Sequence, residues 1–206
     1  MRQITPIVPV LPSRFSYLSV PGIGDSGPDH WQTWMEDVGG GIPRIRLANW
    51  KQPSLNAWLN AIDTALTSQW SPAILVAHSF GALAAAQYAI EEPSRIAGLL
   101  LVAPADPAKF EDARHLTLAP VPCAGFLVAS RNDPWMEMRV AQRWSDIWRV
   151  KLIDEGDAGH INVASGHGPW PQGLSYLARL TYEAGARTQA RVGSIYLGDH
   201  RRNGSA

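Results

Sequence analysis

The sequence predicts an α/β fold, a three-layer sandwich in which a six-stranded, mainly parallel sheet carries helices on both faces. Three observations point there. Short runs rich in Val, Ile and Leu recur along the chain, amphipathic stretches separate them, and central runs such as AILVA and GLLLVA do not alternate. Apolar strands without alternation are covered on both faces, and strands interleaved with helices form βαβ units whose right-handed crossovers restrict the topology.

The elements follow in chain order. The first strand, Phe15–Val20, ends at a glycine-rich turn and leads to a helix over His30–Val38. A second strand is expected at Ile42–Ala48, then an amphipathic helix at Leu55–Thr67. The third strand, Ala73–Ala77, meets an alanine-rich helix at Ala82–Ile90, and Ile96–Ala103 and Ala124–Ser130 form the fourth and fifth strands. A helix at Trp135–Trp148, a sixth strand at Arg149–Ile153 and a last helix near Leu174–Ala184 complete the unit. One domain over residues 15–184 is therefore expected. Residues 1–14 and 185–206 read as peripheral ends, where Gly, Arg, Ser and Asn displace the apolar pattern in the second of them.

Composition narrows the function. The chain has 206 residues, 46% hydrophobic and 17% charged, enough for a core in a single domain. Eighteen Lys and Arg balance eighteen Asp and Glu, so the basic excess of a nucleic-acid binder is missing. Cys123 is the one cysteine, which excludes an internal disulfide and a multi-cysteine zinc site. The run Ile7–Leu11 is interrupted by prolines and no cleavage-type region follows it. Other apolar runs fall far short of the ~20 residues of a bilayer span. A cytoplasmic protein without a membrane partner is expected, and the oligomeric state is left open.

Gly22-Ile23-Gly24-Asp25-Ser26-Gly27 matches G-x-G-x-x-G between a strand and a helix, the setting of a dinucleotide fingerprint. Two features oppose that reading. No acidic residue lies between Asp37 and Asp63 to hold a ribose, and Asp25 would put a negative charge where a pyrophosphate must sit. A tight turn or a backbone-donor loop for an oxyanion fits better.

Ala77-His78-Ser79-Phe80-Gly81 stands between a strand and an alanine-rich helix, like the G-x-S-x-G nucleophile elbow, with Ala77 in place of the first glycine. Small residues are needed there because a serine on so sharp a turn brings its neighbours against adjacent backbone. The rival reading is an ordinary N-cap serine. An elbow would aim the Phe80 N–H at a developing oxyanion, with a second N–H from Ile23. Asp133, in S-R-N-D-P after the fifth strand, and His160, in G-D-A-G-H after the sixth, follow in the order Ser, acid, His. Asp106 is the rival acid, and Asp157 lies too near His160 in sequence. His78 adjoins the serine but reads as packing, and Cys123 reads as core. In this arrangement Ser79 attacks an acyl carbonyl, His160 transfers the proton and Asp133 orients the imidazole.

The blocks V-P-G-I-G-D-S-G-P-D-H-W-Q-T-W (20–34), L-V-A-H-S-F-G (75–81), L-L-V-A-P-A-D (100–106), R-N-D-P (131–134) and G-H-I-N-V-A-S-G-H-G-P-W-P-Q-G (159–173) carry a further resemblance. Over about Tyr17–Leu177 the chain resembles the small α/β-hydrolase-fold serine hydrolases typified by retinoblastoma-binding protein nine. The resemblance implies a minimal hydrolase without a cap domain, a triad of Ser79, Asp133 and His160, no cofactor and no metal. It further implies esterase-like or peptidase activity on a small acyl substrate. Phe80 departs from the Leu usual after the nucleophile. Because Cys123 lacks the flanking Leu and Glu of an LxCxE motif, a retinoblastoma-type partner is not expected. Asp133 lies only 54 positions after Ser79 and His160 only 27 after Asp133, too few for a lid as well as the strands and helices they hold. His30, Trp31, Trp34 and Trp135 are the expected pocket liners, with helix–sheet packing as their alternative. An amidase with the same triad and a non-catalytic binding module on the same fold are the rival functions.

Overall fold

Five apolar runs form a fully parallel sheet: β1 (Ser16–Val20), β2 (Ala73–His78), β3 (Ile96–Val102), β4 (Ala124–Ala129) and β5 (Lys151–Asp154), ordered β1-β2-β3-β4-β5. Helices α1 (Trp31–Val38), α2 (Leu55–Leu66), α3 (Phe80–Glu91), α4 (Met138–Trp148) and α5 (Pro171–Arg202) complete the three layers. This is a computed structural model, which describes residues 14–202 and, for side chains, residues 14–190.

The two faces of the sheet carry separate cores, because successive strand residues point to opposite sides. Leu75, Ala77, Leu99, Leu101 and Leu127 pack with Trp58 of α2, Leu83 of α3 and Trp148 of α4. Ile74, Val76, Leu100, Val102, Phe126 and Val128 pack with Trp31 and Met35 of α1 and Leu174 and Leu177 of α5. Every residue of β2 and β4 is buried, which accounts for their unalternating sequences, whereas β5 is a partly exposed edge. Alanines at positions 82 and 84–86, all buried, leave α3 room to lie close to the sheet.

The expected strand at Ile42–Ala48 is reduced to one parallel bridge, Arg44 beside Ser19. Ser19 donates to Pro43 O at 2.8 Å and accepts from Ile45 N at 3.0 Å. The next rung would need an N–H from residue 21, which is proline, so the ladder stops. The bridge still fixes the topology. It lies on the side of β1 away from β2, so the chain crosses outward over the α1 face and returns over the α2 face. This reversal falls between β1 and β2, at whose carboxyl ends open α/β sheets place their sites.

Two helix boundaries also differ from expectation. α4 begins at Met138 rather than Trp135, because Asp133 and Pro134 form a turn in which Asp133 Oδ1 accepts from Trp135 N at 2.8 Å. α5 passes the expected limit at 184 and runs through Arg202, since no proline interrupts 185–202. Arg187 in this extension donates to Cys123 O. The remaining expected end segments, 1–13 and 203–206, lie outside the described residues. Among the described residues, no helix is long and apolar enough to cross a membrane.

Candidate active site

Ser79 sits between β2 and α3 at φ 54° and ψ −125°, a conformation that side-chain-bearing residues rarely adopt. Its surroundings force that turn. Ser79 N donates to Val102 O at 3.1 Å, and Ala82 N donates to Ser79 O at 3.0 Å. A Cβ on Gly81 would lie 2.4 Å from both Val20 O and Pro21 O. A Cβ on Gly22 would lie 2.7 Å from Ser79 Cβ, so the loop after β1 rests directly on the serine. Ala77, in the position where glycine is usual, is fully buried and is accommodated.

Asp133 and His160 reach the same point from the ends of β4 and β5. His160 Nε2 is 2.9 Å from Ser79 Oγ, and His160 Nδ1 is 2.9 Å and 3.0 Å from the two oxygens of Asp133. The carboxylate accepts only, so Nδ1 carries the proton and Nε2 is the basic nitrogen toward the serine. Both Asp133 and His160 are buried, which keeps water from competing for these bonds. The loops that bear them are stitched together. Asn132 Oδ1 accepts from Gly159 N at 2.7 Å, Ser130 Oγ accepts from Ala158 N at 2.9 Å, and Arg131 N donates to Gly156 O at 2.8 Å.

Asp106 is engaged elsewhere, where its Oδ1 caps a single 3-10 turn through Ala108 N. Cys123 is buried away from these loops, and burial pushes its thiol up to about 12. The amide of Phe80 follows the serine and that of Ile23 follows Gly22, which packs on it, and among the described residues neither amide donates to a protein acceptor. Such a pair can receive an oxyanion.

The expected pocket liners separate. Trp135 is exposed, its ring 6.0 Å from that of His160. Trp31 is wholly inside the α1/α5 core and so lines no pocket; its Nε1 donates to Ile161 O at 2.8 Å. Trp34 is half-buried against the same core. His30 is buried and caps α1, its Nδ1 accepting from Gln32 N at 3.1 Å. Burial first, then the charge of Arg44, pushes His30 down to about 4.

Two further residues brace the site through contacts that their motifs do not reveal. His78 Nε2 lies 2.9 Å from His160 O, and burial holds its imidazole well below the ordinary range. Gln32, fully buried, donates to Ser19 Oγ and Val76 O and accepts from Ser26 Oγ, tying the glycine loop to β1 and β2. Among the described residues, no cluster of three His, Cys, Asp or Glu side chains could hold a metal ion.

The family model described as "Serine hydrolase" matches residues 17–179. No curated protein matches the chain. Among solved structures, a protein of Pectobacterium atrosepticum described as a YdeN-like hydrolase is 40% identical, covering 83% of this chain and 92% of its own, at a TM-score of 0.80. The ydeN gene product of Bacillus subtilis is 18% identical over 81% of this chain and 98% of its own, at 0.68. A monoacylglycerol lipase of Paleococcus ferrophilus, 14% identical over 84% of this chain and 96% of its own, shares the fold at 0.61. With most of its length matched by the family model and a 40% identical relative, the chain belongs to the serine hydrolase family.

Proposed function

We propose that the chain cleaves small carboxylic esters through an acyl-enzyme, with Ser79 as nucleophile, His160 as general base and then acid, and Asp133 as the group that orients the imidazole. The observation that carries the reading is the unbroken relay from Ser79 Oγ through His160 to the Asp133 carboxylate, with each link near 2.9 Å. In the first step the Ser79 proton passes to His160 Nε2 as Oγ bonds to the acyl carbon. Charge on the carbonyl oxygen is received by the Phe80 and Ile23 amides. His160 then protonates the leaving alkoxide as the ester bond breaks. Water repeats the sequence on the acyl-enzyme, releasing the acid and restoring Ser79. No step calls for a cofactor.

Three exposed apolar side chains, Ile23, Trp135 and Val163, stand on the three loops that bear or border the relay. A surface so furnished favours an acyl group with apolar area. The similarity to the small hydrolases typified by retinoblastoma-binding protein nine supports the same assignment.

A fluorophosphonate probe tests it. Wild type is expected to label covalently and to turn over short-chain nitrophenyl esters, and Ser79→Ala to do neither. Labelling that survives Ser79→Ala overturns the assignment. Faster turnover of aminoacyl amides than of matched esters would replace the esterase reading with the amidase one.

A further inference from the structure

The segment that carries the base is strained in an unusual place. Gly159 and Ile161 flank His160 at φ 60° and φ 46°. Glycine tolerates this region, but for a β-branched residue it is a genuine outlier, and it persists only where the surroundings over-determine it. The Ile161 side chain is completely buried in the α1/α5 core. Two ring N–H groups complete the restraint. Trp31 Nε1, from α1, donates to Ile161 O at 2.8 Å, and His78 Nε2, from the end of β2, meets His160 O at 2.9 Å. A carbonyl can only accept, so His78 carries its proton on Nε2. Both contacts are buried.

We propose that His78 and Trp31 are positioning residues for the base loop: their ring N–H groups pin the consecutive carbonyls of His160 and Ile161 and so set the angle at which the imidazole meets Ser79. The proposal rests on the reading of Ser79 and His160 given above. Its geometry has a direct logic. His78 precedes the nucleophile in sequence, so one strand end holds both Ser79 and the tether to its base, and the Oγ–Nε2 separation is fixed by a single rigid unit. The rings support one another, with centroids 4.9 Å apart for His78 and His160 and 5.9 Å for His78 and Trp31, the latter edge-on. A charged His78 would oppose the imidazolium that forms on His160. Burial is the main force keeping His78 neutral, and the neighbouring His160 adds to it.

Substitution separates tethering from packing. His78→Phe keeps a ring and removes the donor, His78→Gln restores an N–H at the same reach, and Trp31→Phe removes the donor together with part of a buried ring. With thermal melts confirming folding, His78→Phe and Trp31→Phe are each expected to lower kcat about 10–100-fold with KM within about twofold. His78→Gln should recover most of that loss. The double variant should lose less than the product of the singles, since both act on one segment. A readout independent of turnover is the downfield proton resonance of His160 Nδ1–H, expected to be sharp in wild type and broadened in His78→Phe. Unchanged kcat and an unchanged resonance in the folded variants would overturn the proposal, as would equal losses in His78→Phe and His78→Gln. Should His78→Phe fail to fold, Trp31→Phe decides alone. If wild type is not labelled at Ser79 by the fluorophosphonate, the hydrolase assignment fails instead, and the resonance still tests the tether.

Discussion

Arg44 Nη1 lies 2.9 Å from Asp25 Oδ1, and this ion pair anchors the loop that rests on Ser79. The same guanidinium donates to Ser26 O, to Thr33 Oγ1 and to both oxygens of Glu36, so each of its N–H groups is engaged. It fastens a loop with two left-handed residues, Gly24 and Asp25, to α1. The acid that argued against a dinucleotide at the sequence level thus has a structural partner, the guanidinium of Arg44.

Arg44→Met should therefore loosen the loop that rests on Ser79 as well as the fold. The pair is mostly shielded from solvent, and removing one partner leaves two carboxylates without their cation, at a cost of about 1–3 kcal/mol. Urea unfolding measures that loss, and the rate of fluorophosphonate labelling should fall with it. Arg44→Lys should rescue little, because an ammonium cannot reproduce the planar fork. Full stability in Arg44→Met would show that the network contributes nothing net.

Exchange of the acid gives a sharper contrast. Asp133→Asn preserves shape but presents an amide to His160 Nδ1, favouring the wrong tautomer, and kcat should drop by roughly 10³–10⁴. Asp106→Asn should leave kcat unchanged, since that carboxylate caps a turn after β3. Steady-state kinetics on one nitrophenyl ester decides between them, and the reverse pattern would move the acid role to Asp106.

Glycines around the serine divide by the space available to a methyl group. Gly81→Ala would drive Cβ to 2.4 Å from two backbone oxygens that cannot move independently, and Gly22→Ala to 2.7 Å from Ser79 Cβ. Labelling should be lost in both, with Gly81→Ala also melting at lower temperature. Gly27→Ala meets nothing within 4 Å and should behave as wild type. Equal tolerance of all three would mean that the elbow is looser than its geometry indicates.

Much of this was legible because it is local. The unalternating runs of β2, β3 and β4, the small residues around Ser79, and loops that end on Asp133 and His160 are written in neighbouring residues. What escaped is non-local or depends on one atom. The strand at Ile42–Ala48 has the right composition, but it fails because Pro21, on the neighbouring strand's exit, has no N–H to offer. Trp31 resembled a pocket liner because it follows the glycine loop, yet nothing nearby in sequence shows that α1 turns it toward Ile161, 130 residues away. His78 was readable as packing from its position behind the serine. Its bond to His160 O depends on where β5 delivers the chain.

Acid sensitivity follows from His30. In the folded chain its imidazole titrates at about 4, and once unfolded it returns to the ordinary value of 6.5. Above about pH 6.5 both states are neutral and the residue contributes no pH dependence. Between those two values the unfolded chain takes up a proton that the folded chain refuses, so stability falls as pH falls, and the effect levels off below about pH 4. From about pH 7 to about pH 5 this amounts to roughly 2 kcal/mol, and the buried His78 acts in the same direction. His30→Asn keeps an acceptor for the Gln32 N–H, so α1 retains its cap, while the titrating group is removed. Urea midpoints measured at both pH values should show a shallower decline for His30→Asn than for wild type. Parallel declines would place the acid sensitivity elsewhere in the molecule.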